Sequence, residues 1–403
     1  MSRASNLAKA IGADGTLNVS DVAGLAAVAS SGSATDLTTG TLPIARIADG
    51  AVTYAKLSSD VQNDMNMFKN RIINGAMVID QRNAGASVTQ PGTVTYTLDR
   101  WGTVGTNASK FSIQQSTTAP AGFSNSVLLT SLAATSVGAG DYYLFRQPIE
   151  GFNTADLMFG TANAQTVTLS FWVRSSLTGS FSGALYNSAG NRCYPFSYTI
   201  SSANTWEQKT VTIAGDTSGT WIGATNGIGL YVNFSLGVGT TYSGTANTWG
   251  TAFSVTGATS LVATNGATFY ITGVQLEKGS TATSFDFRSY GTELALCQRY
   301  FERQTASGVY TAFASGTGAG TASSEGCLRY TTKRSAPTIS GATLALSDGV
   351  NSPVAITSLG SGYRGLDSAL YQANVASGLT QYRPYSIVSN NSASGYIELS
   401  AEL

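Results

Sequence analysis

The chain contains no histidine in its 403 residues. That removes the commonest general base near neutral pH and the commonest metal ligand, and with them Ser-His-Asp and Cys-His catalysis and histidine-based zinc sites. Cysteine is nearly as scarce. Cys193, Cys297 and Cys327 stand far apart without a CxxC pair, so neither a redox motif nor a thiolate metal site is suggested, and buried free thiols are expected. Charge is thin as well: 11% of residues are charged, 22 basic against 22 acidic. Such a surface is polar through hydroxyls and amides and lacks the clustered Lys and Arg that neutralise phosphates, which argues against a nucleic-acid partner. No window approaches the ~18 to 20 apolar residues that span a bilayer, so no membrane insertion is expected. The N-terminus, MSRASNLAKAIGADG, has a base at Arg3 but no apolar run of signal-peptide length, and the expected origin is a cytoplasm without Sec export.

What is present is enough apolar material for real cores. Hydrophobic residues make up 42% of the chain, and at ~100 to 200 residues per domain the length predicts two or three units. From 68 to 290 the pattern has period two. In TVTLSFWVR (166–174), Val167, Leu169, Phe171 and Val173 share one face, leaving Thr168, Ser170, Trp172 and Arg174 on the other. In IGLYVNFSL (228–236), Ile228, Leu230, Val232, Phe234 and Leu236 point one way, Tyr231 and Asn233 the other. WEQKTVTI (206–213) and ATFYITGVQLE (267–277) add strands, the latter with a bulge predicted at Gly273. With no long helical pattern between them, the strands predict an antiparallel sandwich.

A short helical pattern (Leu294, Leu296, Tyr300, Phe301) over 291–301 connects to a second, smaller β-sandwich over 302–403. There CLRYTTKRSAPTI (327–339) reads as strand, basic turn and Pro-led strand, and the closing YIELSAEL as a paired strand. Residues 1–67 lack a core-forming pattern. Their TLPIARIADGAVTYAKL (41–57) places small apolar residues between turn signals, and Leu57, Val61, Met65 and Phe68 follow at spacings of four, four and three. Three such segments wound together could bury what one cannot, as in a short three-stranded coiled coil; a flexible leader is the alternative.

GVQLEKGSTATSFDFRSYGTELALCQRYF (273–301), with NRIINGAMVIDQR (70–82) as its opening, resembles the carbohydrate-binding-module-like jelly rolls of tail fibres and other virion proteins of tailed phages. The resemblance covers about 68–301. It implies an all-β fibre or receptor-binding protein: a thin N-terminal shaft and tail-attachment segment (1–67), a jelly roll (68–290), the connecting helix, and a C-terminal β domain as receptor-binding tip. It implies a homotrimer docked on phage tail or baseplate proteins, made in the host cytoplasm, released by lysis and adhering to host surface polysaccharide. Related modules often carry a structural calcium held by an acid near the start and an Asp in the closing strand. Here Thr272 and Gly273 stand in the closing strand, and the opening has no acid before Asp80, so no metal or other cofactor is expected.

An aromatic side chain on the polar face of a jelly-roll strand can stack on the apolar face of a pyranose while nearby amides and guanidinium groups bind its hydroxyls. Trp172 with Arg174, and Tyr231 with Asn233, have that composition; the same faces could instead pack on a sheet or a neighbouring subunit. Trp206, Trp221 and Trp249 border Gly-, Ser- and Thr-rich loops and are further candidates. In the last domain Tyr363, Arg364, Asp367 and Tyr371 form one Gly-flanked cluster and Tyr382, Arg383 and Tyr385 another, suited to recognition or to subunit contacts. Carboxylates (Asp99, Asp141, Glu150, Glu207, Asp286) are scattered with no spacing that pairs two of them for glycoside hydrolysis, so no enzyme is expected. GTGAGTASSEG (316–326) has neither the Lys-Ser/Thr nor the helix of a phosphate loop and is expected to be a mobile loop. A purely structural virion protein, a connector or decoration, is the alternative function.

Overall fold

The computed structural model describes residues 68–403; the shaft and attachment segment expected over 1–67 lies outside the described residues. In chain order the first strands are β1 (Val88–Thr89), β2 (Thr95–Leu98), β3 (Trp101–Gly105), β4 (Phe111–Ser116), β5 (Ser126–Ser131), β6 (Tyr142–Glu150), β7 (Val167–Ser175), β8 (Gly179–Asn187), β9 (Cys193–Ile200), β10 (Glu207–Ile213), β11 (Ile228–Val238), β12 (Ser243–Gly244), β13 (Ser254–Val255) and β14 (Thr268–Lys278). They form two six-stranded sheets, β1-β4-β5-β14-β7-β10 and β2-β3-β6-β11-β8-β9, while β12 and β13 pair only with each other. Within the two sheets the pairings are antiparallel, and their inward faces supply one core. Val167, Leu169, Phe171 and Val173 of β7 and Leu230, Val232, Phe234 and Leu236 of β11 are all buried there, as their period-two spacing requires.

The opening segment is sewn to the closing strand. Asn70 donates through Nδ2 to the Val274 carbonyl and accepts from the Ile72 and Leu276 N–H groups through Oδ1. Gly75 lies so close to β14 that a Cβ there would stand 2.2 Å from the Val274 carbonyl oxygen. Arg288 then returns to donate to the carbonyls of Asn70 and Ile72. The predicted bulge is present: the β14–β7 register breaks between Thr272 and Gln275, and Gly273 has φ +60.

Helix α1 (Tyr290–Gln298) leads to β15 (Phe301–Thr305), β16 (Ala312–Gly318), β17 (Ser323–Arg329), β18 (Thr338–Ala342), β19 (Leu344–Ser347), β20 (Val354–Arg364), β21 (Ser368–Val375), β22 (Pro384–Ser389) and β23 (Tyr396–Ser400). The chain is thus all-β with one short α-helix among the described residues, and its second β part is layered as a closed barrel, β16-β17-β21-β20-β19-β22, beside a three-stranded sheet, β15-β23-β18. The segment 316–326, expected as a mobile loop, is mostly the β16–β17 hairpin. Its glycines are packing features: a Cβ at Gly316 would stand 2.5 Å from the Tyr371 hydroxyl, and one at Gly326 would stand 2.8 Å from that ring. Of the three thiols expected to be buried, Cys193 and Cys297 are, and Cys327 is exposed on β17. Among the described residues no helix is long and apolar enough to cross a membrane.

Candidate functional site

Alternation leaves each sheet an outer face, and the two have different fates. On the second sheet, Tyr231 of β11 stacks on Tyr186 of β8 at 4.7 Å, with the Arg146 guanidinium 4.7 Å from the Tyr231 ring and donating to the Tyr186 hydroxyl. Burial pushes the Tyr186 phenol up to about 12, so it stays protonated. The segment between β11 and β14 lies over this face. Phe253 packs on Tyr142, Tyr186 and Tyr242, its carbonyl meets the Asn233 amide, and the Val255 N–H donates to Ser182. Asn233, a candidate for sugar hydroxyls, is therefore fully buried. Along the edge Tyr96 donates to the Leu403 carbonyl at 2.6 Å, and buried Arg100 pairs with Glu402. Much of this face is spent on packing within the chain.

The outer face of the first sheet is covered at one end, where the segment after β14 buries Thr168, Ser170, Gln275 and Glu277, and is partly open at the other. Ladder pairing aligns Arg174 of β7 with Tyr270 of β14, and Trp172 with Gln208 of β10 and Thr272 of β14. Trp172, Arg174, Trp206 and Tyr270 are each half-buried, with Gln208 and Thr210 exposed beside them. The Trp206 and Tyr270 rings lie 6.1 Å apart, the Arg174 guanidinium sits 5.1 Å from Tyr270, and its Nε donates to the Asn204 carbonyl. Trp172 continues the stripe toward Phe123: both rings crowd the vacant Cβ position of Gly273, at 3.1 and 2.7 Å. Aromatic faces interleaved with a guanidinium and an exposed amide can take the apolar and hydroxyl faces of a sugar together. Tyr270 was open to detection, since the alternation that put Trp172 outside puts Tyr270 outside also.

Trp221 and Trp249 are placed elsewhere. They pack with Phe159 at ring distances from 4.9 to 6.0 Å, and their indole N–H groups bond to Asp216 and the Ala214 carbonyl. In the barrel, Tyr363 and Arg364 are exposed and line an open hollow of about 670 Å³, with Asp367 exposed at the neighbouring turn. Tyr371 is not with them. It is fully buried in the barrel core, because alternation along β21 sends it inward between the two glycines. Tyr385 is buried likewise, and Arg383 is held 2.9 Å from Asp348.

The named carboxylates are each engaged structurally. Glu150 accepts two hydrogen bonds from Arg299 and one from the Tyr300 hydroxyl. Asp99 accepts from Gln81 twice, and burial pushes it up to about 6. Asp141 accepts from Gly138 and Thr106, and Glu207 from Ser201, Ser202 and Lys209. Asp80 caps its own turn by accepting from the Asn83 and Gly85 N–H groups. Among the described residues no three His, Cys, Asp or Glu side chains gather as a metal would require.

No family model matches the chain, and no curated protein matches it. Solved structures similar to it include the enzymatically active domain of tailspike protein 4 of bacteriophage CBA120, at 13% identity and TM-score 0.29 over 52% of this chain but 22% of that one. A family 11 carbohydrate-binding module from a cellulosomal cellulase of Clostridium thermocellum is similar at 12% identity and TM-score 0.25, over 50% of this chain and 98% of the module. A family 61 module solved with β-1,4-galactotriose gives 8%, 0.23, 44% and 88% for the same measures. At such values these likenesses assign neither ligand nor partner, and the sandwich rests on the strand order described above.

Proposed function

We propose that the chain is a non-catalytic glycan-binding protein of the tail-fibre kind, a homotrimeric virion component that adheres to host surface polysaccharide. One observation carries the binding part: the partly open stripe of Trp206, Arg174, Tyr270 and Trp172 on the outer face of the first sheet. The tail-fibre part is supported by the opening and closing motifs and by the spacing of Leu57, Val61 and Met65. The non-catalytic part is supported by the absence of histidine and by the structural engagement of the carboxylates.

The test is an array of bacterial surface polysaccharides probed with the purified full chain. At least one glycan is retained, and Trp172→Ala weakens it about ten- to thirtyfold, the ~1.4 to 2 kcal/mol of a stacking side chain at a recognition site, with melting unchanged. No reducing ends are released. Depolymerisation abolished by a single Asp or Glu substitution would replace adhesion with hydrolysis. A purely structural virion protein is favoured by one feature, the exposed Phe68 and Phe152 rings lining a common hollow that suits a protein neighbour; on that reading no glycan is retained.

A further inference from the structure

The aromatic stripe does not end at Trp172. Phe123, on its far side, also forms a wall of a separate cavity of about 220 Å³ bounded by Ala76, Phe285, Asp286, Phe287 and Arg288. Phe123, Phe285 and Phe287 stand 4.7 to 5.2 Å apart as a three-ring cluster, and Phe287 is 61% exposed. A site for a drug-sized ligand occupies roughly 300 to 1,000 Å³, so this cavity suits one ring and not an oligosaccharide. Its polar groups are few and fixed. Asp286 accepts from the Asn70 N–H and is held 3.9 Å from Arg288. A carboxylate accepts at roughly four positions, so capacity for hydroxyl donors remains. Arg288 is buried, its terminal nitrogens donate to Asn70, Ile72 and Glu293, and its Nε has no hydrogen-bond partner. Two carboxylates, Asp286 and Glu293, thus face one guanidinium, an excess of negative charge that disfavours an acidic ligand.

We infer that this cavity is the terminal subsite of the stripe and takes one neutral pyranose at the end of a glycan chain. The ring packs on Phe123 and Phe287, its hydroxyls donate to Asp286, and the rest of the chain runs past Trp172 over the sheet. The inference rests on the proposed glycan-binding function, yet it fails separately, because a monosaccharide tests the cavity without needing the stripe.

The experiment is saturation-transfer NMR on the full chain with the methyl glycosides of glucose, galactose, mannose, rhamnose and N-acetylglucosamine, and glucuronic acid as acidic control. At least one neutral glycoside shows transfer at millimolar concentration. The signal falls at least tenfold in Ala76→Phe, which fills the cavity from a half-buried wall position. Should Ala76→Phe melt early, Phe287→Ala at the exposed rim gives the same loss without touching the core. The inference is overturned if none of the five glycosides binds, if glucuronic acid binds more tightly than all of them, or if the signal persists in the cavity variants. If the glycosides bind this way while Trp172→Ala leaves polysaccharide retention intact, the cavity stands and the stripe does not.

Discussion

Asn70 and Asn74 carry the opening motif. Asn74 donates to the carbonyls of Ile79 and Asp99, accepts from the Ile79 N–H, and offers its own carbonyl to the Trp101 indole; all of this is buried. A buried polar group stripped of its partner costs ~1 to 3 kcal/mol, and Asn70→Ala orphans one carbonyl and two N–H groups. It should lower unfolding free energy by about 3 kcal/mol or more, measured by urea titration, and a loss below about 1 kcal/mol would mean water replaces the amide. Tyr371 makes the complementary case. Placed by its sequence neighbours among recognition residues, it fills the barrel, so Tyr371→Ala should destabilise by ~3 to 5 kcal/mol, as large-to-small core changes do. Arg364→Ala at the exposed turn should leave melting unchanged. The asparagines were visible in the sequence as a motif; the bonds of Asn70 to Val274 and Leu276, 204 and 206 residues away, were not.

Among the elements, β14 joins fold to site, because its inward residues build the core while Tyr270 reaches the partly open outer face and its bulge makes room for Trp172 and Phe123. At Gly273 a side chain would meet both the positive φ and a ring at 2.7 Å. Gly273→Ala should therefore cost ~1 to 3 kcal/mol in stability and displace the two rings, weakening glycan retention beyond what Tyr270→Ala does. Equal retention with wild type, on the polysaccharide array, would separate the bulge from the site. The strands β7, β11 and β14 were legible because apolar residues alternate along them. The β16–β17 hairpin was not, since Gly, Ser, Thr and Ala mark a loop as readily as a strand that must admit a neighbouring tyrosine.

For the whole described molecule, the sandwich and the C-terminal strands are tied by a belt of ionic contacts. Arg299 binds Glu150, Arg82 and Arg100 bind Glu402, and Arg334 donates to the carbonyls of Asn226, Ala401 and Glu402. Burial raises the Glu150 pKa, but the Arg299 and Tyr300 hydrogen bonds outweigh it and hold the carboxyl below its ordinary 4.5. A depressed folded-state value gives stability that is complete above the unfolded value and lost as pH falls through the folded one. Glu150→Gln should cost about 3 kcal/mol at pH 7, as breaking a buried pair does, and the gap to wild type should narrow as pH falls below the ordinary 4.5. Asp99, pushed up to about 6, works oppositely in both proteins and cancels from the difference. A gap constant down to pH 3 would show that Glu150 acts by shape alone. Assembly belongs to this scale too: light scattering of the full chain should give three times 41.6 kDa, and a monomer at micromolar concentration would remove the fibre argument.

The amino-acid pattern by itself determined the all-β class, the inward faces of the longest strands, the bulge at Gly273 and the helix that follows, because each follows from local periodicity or from a glycine's backbone freedom. Alternation states that a strand has an outer face but not what lies upon it. Only the tertiary structure decided that the segment between β11 and β14 covers Asn233, that Leu403 beyond β23 borders Tyr96, and that the first sheet leaves Trp172, Arg174 and Tyr270 only half-buried. The covering segments are rich in Gly, Ser and Thr and carry little hydrophobic signal of their own. Their placement comes from hydrogen bonds and ring contacts between residues far apart in the chain, and no local pattern encodes those.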